Sequence, residues 1–125
     1  MLKKSLLYIT ISYSLALLAV SLIKLHKLPN LGISFADKIF HFFAYSVLTV
    51  LWYSTFTYTL KFKKKRAIIY AALLSIIFGI LIEVLQGSAT VSRQLDFYDI
   101  VANTTGTLLV SLVLWLILNF RIKNS

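Results

Sequence analysis

The sequence predicts an all-α membrane protein, a four-transmembrane-helix bundle built as one domain over residues 1–125. Hydrophobic residues make up 59% of the chain and the mean hydropathy is +0.86, whereas a soluble domain is roughly 45–50% apolar. Four long apolar runs lie near residues 5–23, 39–60, 67–85 and 100–120. Each run approaches or exceeds the roughly 20 residues that cross a hydrocarbon core as a helix, and none alternates as a barrel strand would.

The breaks between these runs fall where charged or turn-forming residues gather. Two lysines at 3–4 precede the first run. This start also fits a signal peptide, but the run is longer than the ~7–15-residue core of a typical signal, so we interpret it as a span. A Pro-Asn-Leu-Gly turn at 29–32 precedes the second run. The basic segment 61–66 and the polar segment 86–98 separate the remaining two.

The distribution of basic residues predicts the orientation of the bundle. The chain has 13 Lys and Arg against 4 Asp and Glu, a formal net charge of +9. Most of the basic residues lie in the N-terminus, the loop after the second run and the C-terminal tail: Lys3, Lys4, Lys61, Lys63, Lys64, Lys65, Arg66, Arg121 and Lys123. The other two loops hold Lys24, Lys27, Lys38 and Arg93. The positive-inside rule therefore places both termini in the cytoplasm, and the charge excess indicates topology rather than a nucleic-acid partner.

The four carboxylates lie at or just inside the ends of the apolar runs, and three of them have a structural explanation. Asp37, three residues after Ser34, fits a helix capping box, while Asp96 and Asp99 fit an N-cap and a first-turn acid. Glu83 has no such explanation, because it lies near the C-terminal end of its run, where a negative charge opposes the helix dipole. An acid inside an apolar run is by default a functional candidate. The absence of cysteine excludes thiol chemistry.

Because successive helices alternate in direction, the start of the second, the end of the third and the start of the fourth lie on one side of the bilayer. Polar residues form a stripe on each of these ends: Asp37, His41 and Tyr45; Glu83 and Gln86; Asp99, Asn103 and Gly106. With termini inside, this layer faces the extracytoplasmic side. Simple structural roles are open for several members, since a bundle histidine, a packed tyrosine, an interhelical amide and a contact glycine are all common.

These residues resemble the signature of the VanZ-like family of small bacterial membrane proteins. The matching pieces are Asp37-Lys38-x-x-His41-Phe-x-x-Tyr45, Glu83-x-x-Gln86, Arg93 and Asp99-x-x-x-Asn103-x-x-Gly106, spanning about Ala36 to Gly106. The chain departs from the family pattern at Val110, where a further glycine is frequent, and in lacking Pro-Gly before Arg93. The resemblance implies a multi-pass protein of the bacterial cytoplasmic membrane and cell envelope, associated with resistance to teicoplanin-type glycopeptides but with no established chemical mechanism.

The preferred functional hypothesis is an extracytoplasmic-side polar pocket for an anionic group, carried by a membrane lipid or a lipid-linked cell-wall precursor. Cationic side chains bind such groups through charge-assisted hydrogen bonds. The ligand-binding candidates are Arg93, Lys38, Asp37, Gln86 and Asn103. No particular cofactor or oligomeric state is indicated.

The alternative hypothesis is an intramembrane enzyme that acts on a lipid-linked substrate. Glu83 or His41 would then be the general acid or base, and Asp99, a further catalytic candidate, would orient them together with Asn103. Arg93 would stabilise developing negative charge. A small proton-coupled transporter is less favoured, because the acids cluster near one surface instead of standing in mid-membrane.

We predict no metal site. A divalent cation would take Asp37, His41, Glu83 and Asp99 as its ligands, but their spacing fits no standard metal motif.

Overall fold

The computed structural model describes residues 2–27, 35–89 and 97–124, and almost all of them are helical. The elements are α1 (Leu2–Lys27), α2 (Phe35–Ser54), a π-helical turn (Thr55–Thr59), α3 (Lys64–Ala89) and α4 (Phe97–Asn124). Four helices are long and apolar enough to cross a membrane, over Lys4–Leu22, Lys38–Thr59, Lys64–Leu85 and Tyr98–Arg121. The predicted all-α fold with four membrane-spanning helices is confirmed.

The second helix ends differently from its predicted range of 39–60. Its regular α-helical part stops at Ser54, and the last turn is π-helical, with the Leu60 N–H donating to Thr55 O at 3.0 Å. The wider π turn directs Thr55 and Thr57 into the bundle, where both are buried. Lys61 then takes a left-handed conformation with φ 64°, which reverses the chain within a few residues before α3 begins.

Helix α2 is the centre of the bundle and packs against the other three helices. The α2–α4 contact is close because α4 has Gly106 there: a Cβ at this position would overlap the Phe42 carbonyl oxygen and lie 2.9 Å from Ser46 Oγ. Small residues permit this approach of two helix backbones in membrane proteins. On the opposite face of α2, α1 is held by the Tyr13 hydroxyl, which donates to Ala44 O at 2.7 Å.

The bundle is apolar outside and polar inside. Large hydrophobic side chains such as Leu15, Phe43, Leu81 and Leu116 are exposed on its surface. The interior instead contains a histidine, two carboxylates, an asparagine and several hydroxyl groups. This distribution suits a lipid environment, where an exposed leucine costs nothing and polar groups must find partners within the protein.

Candidate functional site

Three helices each present a stripe of interior residues spaced four apart, and the stripes meet in three layers. The first layer contains His41, Glu83 and Asp99; the second contains Tyr45, Gly79 and Asn103; the third contains Thr49, Ser75 and Thr107. All nine residues are buried, and α3 contributes in reverse order because it runs antiparallel to α2 and α4. With a rise of about 1.5 Å per residue, the layers form a polar column about 12 Å deep.

The first layer is built around the carboxylate of Asp99, which is completely buried. Lys38 Nζ lies 2.5 Å from Asp99 Oδ1, and His41 Nε2 lies 3.6 Å from Asp99 Oδ2. The Lys38 side chain is 18% exposed and lies at the end of the column. An ion pair thus caps the column, with an imidazole on the other side of the same carboxylate.

Glu83 is the second buried acid of this layer, with 1% of its surface exposed. Its neighbours Leu81, Val84 and Leu85 face outward, so α3 directs only Glu83 and Ile82 of this turn into the bundle. Burial of a carboxylate costs free energy unless other groups compensate it, so Glu83 needs compensating groups inside the bundle.

The second layer contains polar atoms that are enclosed by protein. Tyr45 Oη and Asn103 Oδ1 are both buried and have no hydrogen-bond partner within the described part of the chain. The Tyr45 ring stacks on His41, with centroids 6.3 Å apart, and also contacts Phe78. Gly79 leaves space for the Tyr45 and Asn103 side chains, since a Cβ at Gly79 would lie 2.9 Å from Asn103 Nδ2 and 3.1 Å from Tyr45 Cε2.

The third layer closes the column with hydroxyl groups that bond one another. Thr49 Oγ1 lies 3.0 Å from Ser75 Oγ, 3.3 Å from Thr107 Oγ1 and 2.7 Å from the Tyr45 carbonyl oxygen. The next interior positions along α3 are Ala71 and Ala67, and both are fully buried. The polar stripe of α3 therefore ends at Ser75.

An apolar groove of about 400 Å³ runs beside the column, on the other side of α2. Helices α1 and α2 line it with Leu17, Val20, Phe40, Phe43, Ala44 and Val47, among others. The Phe40 ring also touches His41 edge-on, with centroids 5.7 Å apart. The groove and the first layer are thus separated by only one ring.

The structure brings together Lys38, His41, Glu83, Asp99 and Asn103 of the predicted site residues. The side chains of Asp37 and Gln86 lie outside the described residues, as do Arg93 and Asp96 entirely. Within the described segments, no group of three or more His, Cys, Asp or Glu is arranged to hold a metal ion.

Sequence reasoning did not identify the Lys38–Asp99 ion pair, nor the column members Thr49, Ser75, Gly79 and Thr107. Their signal was nevertheless present, because each continues a recognised stripe by four or eight residues.

The family model VanZ/LLP1 matches residues 3–119, a range that contains every residue of the column. Searches of curated proteins and of solved structures found no match. The chain is therefore a multi-pass membrane protein that belongs to the VanZ/LLP1 family.

Proposed function

We propose that this chain is a cell-envelope protein of the bacterial cytoplasmic membrane that binds the anionic headgroup of a lipid or a lipid-linked cell-wall precursor. The binding site is the end of the polar column, on the extracytoplasmic side. The observation that carries this proposal is the position of Lys38, a partly exposed cation above three buried titratable side chains.

Lys38 suits an anionic ligand because Asp99 holds its ammonium group in place. An ammonium group can donate three hydrogen bonds, so the ion pair with Asp99 is compatible with a second contact to a phosphate oxygen. The buried carboxylate fixes the position of the charge before the ligand arrives, which lowers the entropic cost of binding. Arg93, in the loop between α3 and α4, is the predicted second cation.

The groove between α1 and α2 supports a lipid as the carrier of that headgroup. Its lining is apolar and its volume of about 400 Å³ lies within the range of small-molecule sites. A hydrocarbon chain along Phe43, Ala44 and Val47 would pass Phe40 and bring its headgroup beside His41. The hydrocarbon tail of the lipid would then lie on one side of α2 and its headgroup on the other.

The link to glycopeptide resistance is the part of the proposal that follows from the VanZ-like signature. In a susceptible bacterial host, expression of the chain should raise resistance to teicoplanin. Arg93→Ala should abolish this effect at an unchanged protein level, and full resistance in that variant would contradict the assigned anion contact.

Ligand binding is tested by thermal unfolding of the purified protein in detergent micelles, with phosphatidylglycerol or undecaprenyl phosphate as the anionic probe and phosphatidylcholine as the zwitterionic one. A ligand at 100 times its Kd stabilises the folded state by about 2.7 kcal/mol, which raises Tm. Only the anionic probes should do so. Lys38→Met should remove most of the increase, whereas Lys4→Met, an exposed lysine at the opposite end of the bundle, should keep it. An equal response to phosphatidylcholine, or a full response in Lys38→Met, would reject the proposal.

A second candidate function, an intramembrane enzyme, is favoured by the pairing of His41 with Asp99 at 3.6 Å. A carboxylate beside an imidazole holds the ring in one orientation, as in known acid–base pairs. Glu83 would then supply the second acid or base of the layer. Purified protein incubated with undecaprenyl diphosphate should release phosphate, and both Glu83→Gln and His41→Gln should abolish this release while probe binding persists. Release that survives both substitutions would eliminate this candidate.

A further inference from the structure

We propose that the ligand of this site has a hydroxyl-bearing headgroup, a polyol or a sugar next to its phosphate, and that Tyr45 and Asn103 recognise the hydroxyl. This inference rests on the proposed function and deepens it, because it names the chemical class of the ligand. Lys38 binds the charged phosphate at the end of the column. Tyr45 and Asn103 of the second layer bind a neutral group one helical turn further in.

The first observation is the state of the two side chains. Tyr45 is fully buried and Asn103 is 2% exposed, yet Tyr45 Oη and Asn103 Oδ1 find no hydrogen-bond partner in the described segments. Buried polar atoms of folded proteins are almost always hydrogen-bonded, and an unmatched one costs free energy. A phenylalanine and a leucine would occupy nearly the same volumes without that cost.

The second observation is that both groups belong to one contact across Gly79. A Cβ at Gly79 would lie 2.9 Å from Asn103 Nδ2 and 3.1 Å from Tyr45 Cε2. The phenol and the amide are therefore neighbours contributed by two helices, and α3 has the smallest possible side chain between them.

The chemistry of the pair matches a hydroxyl group. The tyrosine O–H can donate and accept, and the asparagine amide offers one acceptor and two donors. A ligand hydroxyl could accept from Tyr45 and donate to Asn103 at the same time. Neither side chain is charged, so the pair would gain little from a second phosphate.

The depth of the pair also fits such a headgroup. Asn103 lies four residues after Asp99, which places it about 6 Å further along the helix axis. A hydroxyl of a glycerol or sugar unit lies within this distance of its phosphate. The third layer sets the limit of insertion, because Thr49, Ser75 and Thr107 already bond one another.

The test compares two pairs of anionic probes by the same thermal-shift titration, and one member of each pair has hydroxyl groups in its headgroup that the other lacks. Phosphatidylglycerol is compared with phosphatidylethanol, which has the same charge and tails but no headgroup hydroxyl. Undecaprenyl phosphate is compared with its mannosyl ester, which adds a sugar. The wild-type protein should bind the hydroxyl-bearing member of at least one pair roughly tenfold more tightly, and the pair with the larger preference identifies the source of the headgroup.

Tyr45→Phe and Asn103→Leu should lose this preference while the Tm of the unliganded protein stays the same or rises. Thr10→Val is the control, because the buried Thr10 hydroxyl does have a partner, Thr55 Oγ1 at 2.7 Å, and Thr10 does not line the groove. That variant should lower the unliganded Tm and keep the preference. The opposite changes in the Tm of the unliganded protein distinguish a hydroxyl that binds the ligand from one that stabilises the fold.

The possible failures are distinguishable. If phosphatidylglycerol and phosphatidylethanol bind equally, and the two undecaprenyl lipids likewise, the inference is wrong while the proposed anionic site stands. If Tyr45→Phe lowers the unliganded Tm as Thr10→Val does, the Tyr45 hydroxyl is structural and the inference is again wrong. If no anionic probe raises Tm of the wild-type protein, both proposals fall together.

Discussion

Gly79 on α3 and Asn103 on α4 are in direct contact, so that a methyl group at Gly79 would lie 2.9 Å from Asn103 Nδ2. This contact sets the spacing of α3 and α4 at the middle of the polar column. The close approach of the helices also explains how Asp99, Asn103 and Thr107 on α4 each lie at the same depth as a column residue of α2 and one of α3.

Gly79→Ala should destabilise the bundle. Alanine is about 1 kcal/mol better than glycine inside a helix, but here its methyl group would press on Asn103 and Tyr45, and overpacking of this kind costs about 1–3 kcal/mol. We expect a net loss in reversible unfolding measured in detergent. The double variant Gly79→Ala/Asn103→Ala should recover most of it, since the clash involves a side chain. Additive effects of the two substitutions would show that the contact does not govern packing.

Gly106→Ala should be more damaging than Gly79→Ala, because its methyl group would overlap the Phe42 carbonyl oxygen, a backbone atom that cannot rotate away. The expected loss is about 3 kcal/mol, at the upper end of overpacking costs. Removing the nearby hydroxyl with Ser46→Ala should not rescue it. Normal accumulation and a wild-type Tm for Gly106→Ala would mean that α2 and α4 do not approach this closely.

The ion pair between Lys38 and Asp99 should show strong coupling in a double-mutant cycle. Lys38→Met alone leaves a fully buried carboxylate without its cation, which typically costs 3–5 kcal/mol. Asp99→Asn in the same chain removes the unpaired carboxylate. The double variant Lys38→Met/Asp99→Asn should therefore be more stable than the sum of the two single effects predicts. Unfolding free energies of the four proteins give the coupling term directly. A coupling near zero would indicate that the two groups do not meet in the membrane.

Thr49→Val should lower stability through the hydroxyl layer. The substitution conserves shape but deletes the group that bonds Ser75 and Thr107, and interhelical hydrogen bonds in membrane proteins contribute about 0.6 kcal/mol on average and up to about 1.7 kcal/mol. Thr105→Val is the control, because Thr105 is exposed and bonds only Val101 O of its own helix. We expect a loss of about 1 kcal/mol for Thr49→Val in reversible unfolding and almost none for the control. Equal effects would rule out a role of the layer in holding the helices together.

Glu83→Gln should separate function from folding. Glutamine keeps the volume of this side chain, which is 1% exposed, and replaces one carboxylate oxygen with an amide NH2 group, so accumulation in the membrane should be normal. Teicoplanin resistance should be lost while the lipid response persists, whereas Glu83→Asp, which keeps a carboxylate on a shorter stem, should retain part of the resistance. Protein level by immunoblot and the resistance assay are read from the same cultures. A fully active Glu83→Gln would remove Glu83 from the site.

The orientation of the bundle can be read by single-cysteine labelling, because the natural chain has no cysteine. With both termini in the cytoplasm, Lys63→Cys should react with a membrane-impermeant maleimide only after the cells are lysed. Asn30→Cys and Ser92→Cys, in the two other loops, should react in intact cells. The reverse pattern would place the polar column on the cytoplasmic side.

Hydropathy alone was enough to predict the helices, because a span must be about 20 residues long and apolar whatever it packs against. The alternation of helix direction was likewise enough to predict that His41, Glu83, Asp99 and Asn103 approach one level. Both conclusions depend on properties of single segments, and they needed no knowledge of how the helices are rotated.

The contacts themselves depend on rotation and spacing, which only the tertiary structure shows. Lys38 was a ligand-binding candidate from the sequence, and the packing of α2 on α4 places its ammonium group beside Asp99. Gly79 passed unnoticed because a glycine has no chemistry of its own, and its role exists only when Asn103 and Tyr45 arrive from two other helices. The sequence thus determined a four-helix membrane protein with a polar end, while helix packing decided which of its polar groups meet and which, like Tyr45 and Asn103, are enclosed side by side.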